Sequence, residues 1–151
     1  MQTLTFALKG ETFAVSIEAI KEIIEYPELT SVPLMPAFLR GVMNLRGSVI
    51  PVVDLSERFH LGQASLGRRT CVIIFEVQSP DGQQVVGAMV DAVHEVVEVD
   101  TSLLDATPEF GTHVAPEFIK GMLRLDTRIV VLLDLERVLS LEQLEALMVP
   151  V

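Results

Sequence analysis

Few side chains in this sequence combine the types and spacing that catalysis or metal binding needs. The three histidines, His60, His94 and His113, have no neighbour at a metal-ligand spacing such as HxxxH or CxxC. Cys71 lies in the apolar run CVIIF, which is typical of a buried thiol. No GxSxG segment offers a nucleophile for a Ser–His–Asp triad. These patterns predict a protein with no metal, no cofactor and no catalytic activity.

A glycine-bearing segment, residues 62–70, matches a phosphate-binding loop only in its glycines. It lacks the lysine that contacts phosphates, and an apolar strand rather than a helix is predicted after it. The net charge is −10, and Arg68-Arg69 is the only adjacent pair of cations. Because nucleic-acid binding depends on clustered cations, we expect neither a nucleotide nor a nucleic acid as a ligand.

Carboxylates recur at matching places because part of the chain is repeated. Residues 36–59 return without a gap as residues 116–139, and six of the 24 aligned pairs are identical. A weaker match joins residues 13–25 to residues 86–98 and aligns Glu22 with Glu95 and Glu25 with Glu98. Paired carboxylates can serve acid–base chemistry. Since each copy carries its own pair, we favour a structural or interfacial role.

The tetrapeptide Asn44-Leu45-Arg46-Gly47 breaks this repeat. The second copy has Arg124-Leu125-Asp126-Thr127 at the same place, so the repeated unit does not require the first tetrapeptide. Gly47 suits a tight turn between two strands. Arg46 is expected to pair with a carboxylate, for which Glu22 is a candidate. A structural role and a partner-binding role are both open at this point, and they are compatible.

The remaining patterns predict many short strands joined by turns, which indicates an all-β fold. Asp54 and Asp134 are predicted to cap short helices, and Phe38–Gly41 is predicted to be a helical turn that ends at Gly41. For residues 17–25, a helix and a short helix followed by a strand both fit. Ser140 is predicted to cap a C-terminal helix. The main strand predictions are residues 3–8, 12–15, 42–45, 49–53, 71–77, 84–90, 93–99, 122–125 and 129–133.

Two features bear on domain organisation and location. The polar linker at residues 61–69 is the predicted boundary between one subdomain, residues 16–66, and another made of residues 1–15 and 67–151. Half of the residues are hydrophobic, but the longest apolar runs have only about five residues, far fewer than the roughly 20 that cross a bilayer. The N-terminal segment has no basic region ahead of an apolar stretch. We therefore expect a cytosolic chain without direct membrane insertion.

The order of motifs resembles the CheW family of chemotaxis coupling proteins. The most specific stretch is GVMNLRGSVIPVVDL at residues 41–55, and the resemblance extends over nearly the whole chain. It includes Phe6-Ala7-Leu8, Val32-Pro33, residues 36–42, residues 90–93 and residues 119–121.

This resemblance implies one CheW-like domain over residues 1–151, with two pseudo-symmetric five-stranded SH3-like barrels that share a core. The first strand would cross over to complete the second barrel. The implied function is a non-enzymatic adaptor without a cofactor, located in the cytoplasm at receptor arrays on the inner face of the membrane. Its implied partners are the regulatory domain of the histidine kinase CheA and the cytoplasmic tip of methyl-accepting chemoreceptors.

The resemblance also implies where these partners bind. The kinase would contact the first barrel, near residues 16–66. The receptor would contact a groove between the barrels, near the Asn44–Gly47 turn. The candidate partner-binding residues are Ile20, Glu22, Ile24, Asn44, Arg46 and Gly47. An SH3-like peptide-binding module outside chemosensing is the alternative function.

Overall fold

Ten strands and two short helices make up the computed structural model, which describes residues 1–79, 82–100, 102, 114–125 and 128–139. The predicted helix from Ser140 and the Asp126-Thr127 turn lie outside these residues. In chain order the elements are β1 (Gln2–Leu8), β2 (Glu11–Ser16), β3 (Ile20–Glu25), β4 (Leu39–Leu45), β5 (Ser48–Asp54), α1 (Leu55–Arg58), β6 (Cys71–Ser79), β7 (Gly82–Val90), β8 (Ala92–Glu98), β9 (Ile119–Leu125), β10 (Arg128–Leu133) and α2 (Leu135–Val138).

The strands form two five-stranded sheets, which confirms the all-β prediction. The first sheet has the order β3-β6-β7-β5-β4, and the second has the order β8-β1-β2-β10-β9. Each sheet contains one parallel pair, β5 with β7 or β10 with β2. The other pairs within the sheets are antiparallel. The two sheets therefore have equivalent topologies.

The repeat of residues 36–59 is reproduced element by element. β9 and α2 begin and end 80 residues after β4 and α1. The Asp54 N–H donates to the Phe38 carbonyl at 2.7 Å, and the Asp134 N–H donates to the Phe118 carbonyl at 2.8 Å. Both aspartates also cap the helices that follow them, as the sequence predicts. The two similar segments thus form the same backbone hydrogen bond at the same place.

The division of strands between the sheets differs from the predicted subdomains. The predicted boundary places β6 and β7 in the second subdomain, but they pair within the first sheet, while β1 and β2 join the second sheet. Each half of the chain therefore contributes one hairpin to the sheet of the other half. The polar linker at residues 61–69 precedes such a hairpin, and a change in composition does not show which sheet the next strands join.

Two local predictions are also settled. Ser16 accepts a hydrogen bond from the Glu18 N–H and caps a single 3₁₀ turn, Ile17–Ala19, so a short helix followed by a strand is correct. The predicted helical turn ending at Gly41 is wrong, because Gly41 lies within β4 at a shift in register. A Cβ atom on Gly41 would lie 2.6 Å from the Thr30 carbonyl oxygen, which explains the glycine.

Three apolar clusters hold the fold together. One cluster draws on both sheets, with Phe6 and Phe13 from the second sheet and Ile73 and Phe75 from the first. A second cluster lies on the opposite side of the first sheet, and a third on the opposite side of the second sheet. Alternate residues of one strand, such as Ile73 and Ile74, therefore reach different clusters, as the twofold side-chain period of a strand requires. The two halves share a core, as expected.

Candidate partner-binding site

The β4–β5 hairpin positions the central residues of the candidate site. Arg46 and Gly47 form its two-residue turn, between the paired residues Leu45 and Ser48, and both have positive φ angles, of 51° and 89°. Such turns match the right-handed twist of the flanking strands. The Asn44 side-chain oxygen accepts a hydrogen bond from the Gly47 N–H at 2.9 Å. This bond spans the turn and stabilises the backbone that carries Arg46.

Arg46 forms the ion pair that its sequence position predicts. Its Nη2 atom donates to Glu22 Oε2 at 3.0 Å. Glu22 lies on β3 and Arg46 follows β4, and these strands are the two ends of the first sheet. The ion pair therefore connects opposite ends of one sheet. It is accessible, since 74% of the Arg46 side chain is exposed.

A cavity of about 210 Å³ lies beneath this ion pair. Glu22 and Arg46 are part of its lining, and buried Ile50 and Ile74 contribute apolar surface. The combination of charged and apolar surface suits an amphipathic side chain of a partner. The complete lining is Lys21, Glu22, Leu45, Arg46, Ser48, Ile50, Ile74 and Val85, which all belong to the first sheet or its turn. The cavity is thus part of the first sheet, whereas the predicted groove lies between the two barrels.

The structure places the other candidate residues in three different environments. Asn44 and Gly47 shape the turn, whereas Ile20 packs on the shared cluster and Ile24 packs on the cluster of the first sheet. A register shift between Ile20 and Glu22 accounts for this divergence. The sequence does not indicate that Ile74 and Val85 line this cavity, because only the pairing of β6 and β7 within the first sheet brings them to it.

The second sheet has an equivalent cavity of about 240 Å³. Glu95 and Leu125 occupy the places of Glu22 and Leu45, while Thr5 and Thr12 line it where the first cavity has isoleucine and valine. The complete lining is Thr5, Thr12, His94, Glu95, Leu125 and Arg128. The two cavities therefore share a backbone framework but differ in chemistry.

Arg58 joins the two halves near a third cavity, of about 370 Å³. Its guanidinium carbon lies 5.0 Å from the centre of the Phe38 ring and 4.7 Å from the Phe118 ring, which are equivalent residues of the repeat. Its Nε atom donates to the Val138 carbonyl at 3.1 Å. Burial lowers the pKa of Arg58, and the nearby Glu117 carboxylate opposes this shift. Arg58 thus contacts both copies of the repeated unit.

Within the described part of the chain, no three His, Cys, Asp or Glu side chains come together as potential metal ligands. The helices described there are also too short to span a membrane.

Comparison with known proteins assigns this framework to a family. The family model of the CheW-like domain matches residues 2–143. The chain belongs to the CheW-like domain family. The resemblance found in the sequence motifs is thereby confirmed.

Relatives of this CheW-like chain are similar over most of their length. A chemotaxis protein CheW of Klebsiella aerogenes is 34% identical over 141 residues, which cover 93% of this chain and 82% of that protein. A probable chemotaxis protein CheW of Rhizobium etli is 32% identical over 145 residues, covering 96% and 91%. The crystal structure of the scaffolding protein TtCheW from Thermoanaerobacter tengcongensis has a TM-score of 0.82 and 30% sequence identity, covering 91% of this chain and 86% of that one.

Proposed function

We propose that this CheW-like chain is a non-enzymatic adaptor that couples methyl-accepting chemoreceptors to the histidine kinase CheA in the cytoplasm. The match of the CheW-like domain over residues 2–143 carries the proposal. The names of the relatives, chemotaxis protein and scaffolding protein, support the same role.

The receptor is proposed to bind at the Arg46–Glu22 ion pair and the cavity beneath it. This surface offers a multidentate cation, a carboxylate and an apolar interior. Arginine provides planar donors whose geometry lysine does not reproduce. An amphipathic segment of the receptor tip would place apolar side chains in the cavity and polar ones against the ion pair.

The kinase is proposed to bind a different part of the first half. Four large apolar side chains between residues 16 and 66 are exposed, namely Ile23, Leu34, Val49 and Leu66. Exposed apolar side chains are suited to protein interfaces. Separate surfaces would allow one small protein to hold a receptor and a kinase together.

Reconstitution tests this function. Purified chain would be mixed with CheA and with receptor cytoplasmic fragments assembled on vesicles, and phosphate transfer from ATP to CheA would be measured. We expect kinase activity to rise only when the chain, the kinase and the receptor fragment are all present. Binding of proline-rich peptides, without binding to either protein, would instead favour the SH3-like peptide module.

A further inference from the structure

We propose that Leu34 is a preformed anchor for the kinase, with a side chain that inserts into an apolar pocket of CheA. This inference rests on the proposed binding of CheA to the first half, and it names the residue that dominates that interface. The observations behind it are the exposure of Leu34, its backbone conformation and the way in which neighbouring residues hold its turn.

Leu34 is the most exposed large apolar residue of the described chain. It is fully exposed, whereas Val49, the next of the four proposed kinase contacts, is 70% exposed. Single apolar side chains are common on protein surfaces, so exposure alone does not mark a binding residue. It does show that the folded chain gains no stability from burial of this side chain.

The backbone at Leu34 is unfavourable for leucine. Pro33 and Leu34 are the central residues of a turn, and Leu34 has a φ angle of 62°. Proline followed by a residue with positive φ is the arrangement of a type II turn, which favours glycine or asparagine at the second place. A leucine there is strained, because its Cβ atom crowds the backbone in the left-handed region. Leucine at this place therefore lowers stability, and no burial offsets the loss.

The residues on both sides of the turn hold it in place. Met35 is half-buried and packs on the apolar cluster that the two sheets share. Before the turn, Thr30 and Val42 exchange two backbone hydrogen bonds, both of 2.9 Å, and after it the Leu39 N–H donates to the Pro36 carbonyl at 3.0 Å. The turn therefore needs little ordering when a partner binds, which favours affinity.

The conformation excludes one class of partner that the prolines suggest. Pro33 and Pro36 have the PxxP spacing of ligands for SH3-type domains. Such ligands bind as polyproline II helices, in which φ is about −75°. Because Leu34 has a φ angle of 62°, the segment does not have that form. The turn presents one aliphatic side chain instead of a ridge of prolines.

The charge around the turn disfavours a lipid surface. Glu28 is the only charged residue between Tyr26 and Leu39, and the whole chain has a net charge of −10. Anionic lipids attract cations, which this segment lacks. A protein pocket lined by apolar side chains buries a leucine without requiring a cation. The partner is CheA, since Leu34 is one of the exposed apolar residues on which the proposed kinase interface rests.

Substitutions at Leu34 separate the side chain from the strain. Leu34→Asn removes the apolar side chain and suits the left-handed conformation. Leu34→Ala removes the side chain but keeps the strain, and Leu34→Met keeps an apolar side chain of similar size. The control is Ile129→Asn, which alters an exposed apolar residue of the second sheet. Calorimetric titration with purified CheA would give the affinities, and circular dichroism would give the melting temperatures of the same full chains.

We expect Leu34→Asn to bind CheA at least roughly tenfold more weakly, as for a residue that anchors an interface. Its melting temperature should nevertheless rise by about 2–4 °C, because the strain is relieved. Leu34→Ala should lose binding to a similar extent without this rise. Leu34→Met should bind within about threefold of the natural chain. A more stable variant that binds more weakly is a result that a purely structural role does not produce.

Binding of CheA by the natural chain distinguishes this inference from the function on which it rests. If the natural chain does not bind CheA, the proposed function fails and the anchor fails with it. If the natural chain binds and Leu34→Asn binds equally well, only the anchor is overturned. An equal loss of binding in Ile129→Asn would also overturn it, because the effect would not be particular to Leu34.

Stability provides a second way to overturn the proposal. If Leu34→Asn fails to fold, Leu34→Gly replaces it, since glycine also suits the turn. Melting temperatures below that of the natural chain for both variants would show that Leu34 supports the fold, which contradicts the proposed strain.

Other occupants of the anchor would be recognised in parallel experiments. Leu34→Asn would be titrated with receptor fragments and mixed with vesicles of phosphatidylglycerol and phosphatidylethanolamine. Sedimentation would compare the self-association of this variant and the natural chain. Loss of receptor binding, of vesicle binding or of self-association, with CheA binding intact, would assign Leu34 to that partner and overturn its role toward the kinase.

Discussion

At the scale of single residues, Arg46 permits the sharpest prediction. Arg46→Ala removes the ion pair with Glu22 and should strongly reduce receptor-dependent kinase activation. Arg46→Lys should restore little activity, because an ammonium group lacks the planar set of donors. The free energy of unfolding should fall by only about 0–1 kcal/mol, since the pair is exposed. Kinase activation and the melting temperature would be measured on the same samples.

Two further variants separate this role from a general effect of charge. Glu22→Ala should also reduce activation, because it removes the other half of the pair. Arg68→Ala removes an exposed cation from the linker and should retain full activation. Full activation by Arg46→Ala would refute the role in receptor binding, and wholesale unfolding of that variant would indicate a structural role instead.

Cys71 should make stability depend on pH in the alkaline range. Burial raises the pKa of its thiol, and a hydrogen bond with the backbone of Val93 opposes this shift. A raised pKa means that the folded state favours the neutral thiol. The resulting stability is complete below the pKa of the unfolded thiol and is lost as the pH rises through the folded value.

Urea unfolding at a series of pH values would check this prediction. The free energy of unfolding should fall more steeply above the usual thiol pKa of 9.0 for the natural chain than for Cys71→Val. Equal pH dependence of the two proteins would contradict it. Slow reaction of Cys71 with thiol reagents near neutral pH is expected for the same reason.

At the scale of elements, the repeat provides a matched experiment on two capping aspartates. Asp54 is fully buried, and its side chain accepts from the N–H groups of Ser56 and Ala64, both at 3.0 Å. Asp134 is partly exposed, and its side chain accepts from the Arg137 N–H at 3.4 Å. Asp54 thus fixes both α1 and the linker, whereas Asp134 caps α2.

Asp54→Ala should therefore cost more stability than Asp134→Ala. We expect a loss of about 2–4 kcal/mol at Asp54, because several buried donors lose their acceptor. A loss of about 0.5–2 kcal/mol is expected at Asp134, which is typical of a helix cap. Chemical denaturation of the two variants measures both values. Equal losses would show that the bond to Ala64 contributes little.

Local elements could be predicted from this sequence, but their exchange between the sheets could not. The constant offset between residues 36–59 and residues 116–139 predicts the hairpin and the aspartate helix caps, because these features depend on hydrogen bonds between near neighbours in the chain. The pairing of β7 with β5 joins residues that are far apart along the chain. The hydrophobic patterns of β6 and β7 suit either sheet, so the sequence alone does not place Ile74 and Val85 in the lining of the Arg46 cavity. The ion pair itself could be predicted because Asp126 breaks the symmetry at the position of Arg46.

At the scale of the whole molecule, the repeat leaves equivalent apolar side chains exposed on both halves. Ile23 and Val49 on the first sheet correspond to Val96 and Ile129 on the second, and all four are exposed. The backbone framework therefore does not determine which half binds the kinase. The proposal that the kinase binds the first half therefore rests on the side chains that this half exposes.

The double variant Ile23→Ser/Val49→Ser tests that claim. It should weaken CheA binding roughly tenfold if these side chains lie at the centre of the interface, where truncation of a well-packed side chain costs more than about 1 kcal/mol. Receptor binding should remain intact, because the Arg46–Glu22 pair and the interior of its cavity are unchanged. Val96→Ser, the counterpart of Ile23→Ser, should leave both interactions intact. Calorimetric titration against each partner would measure the affinities, with circular dichroism to confirm folding. Equal loss of both partners from a folded double variant would mean that kinase and receptor share one surface, whereas loss of kinase binding in Val96→Ser would place the kinase on the second half.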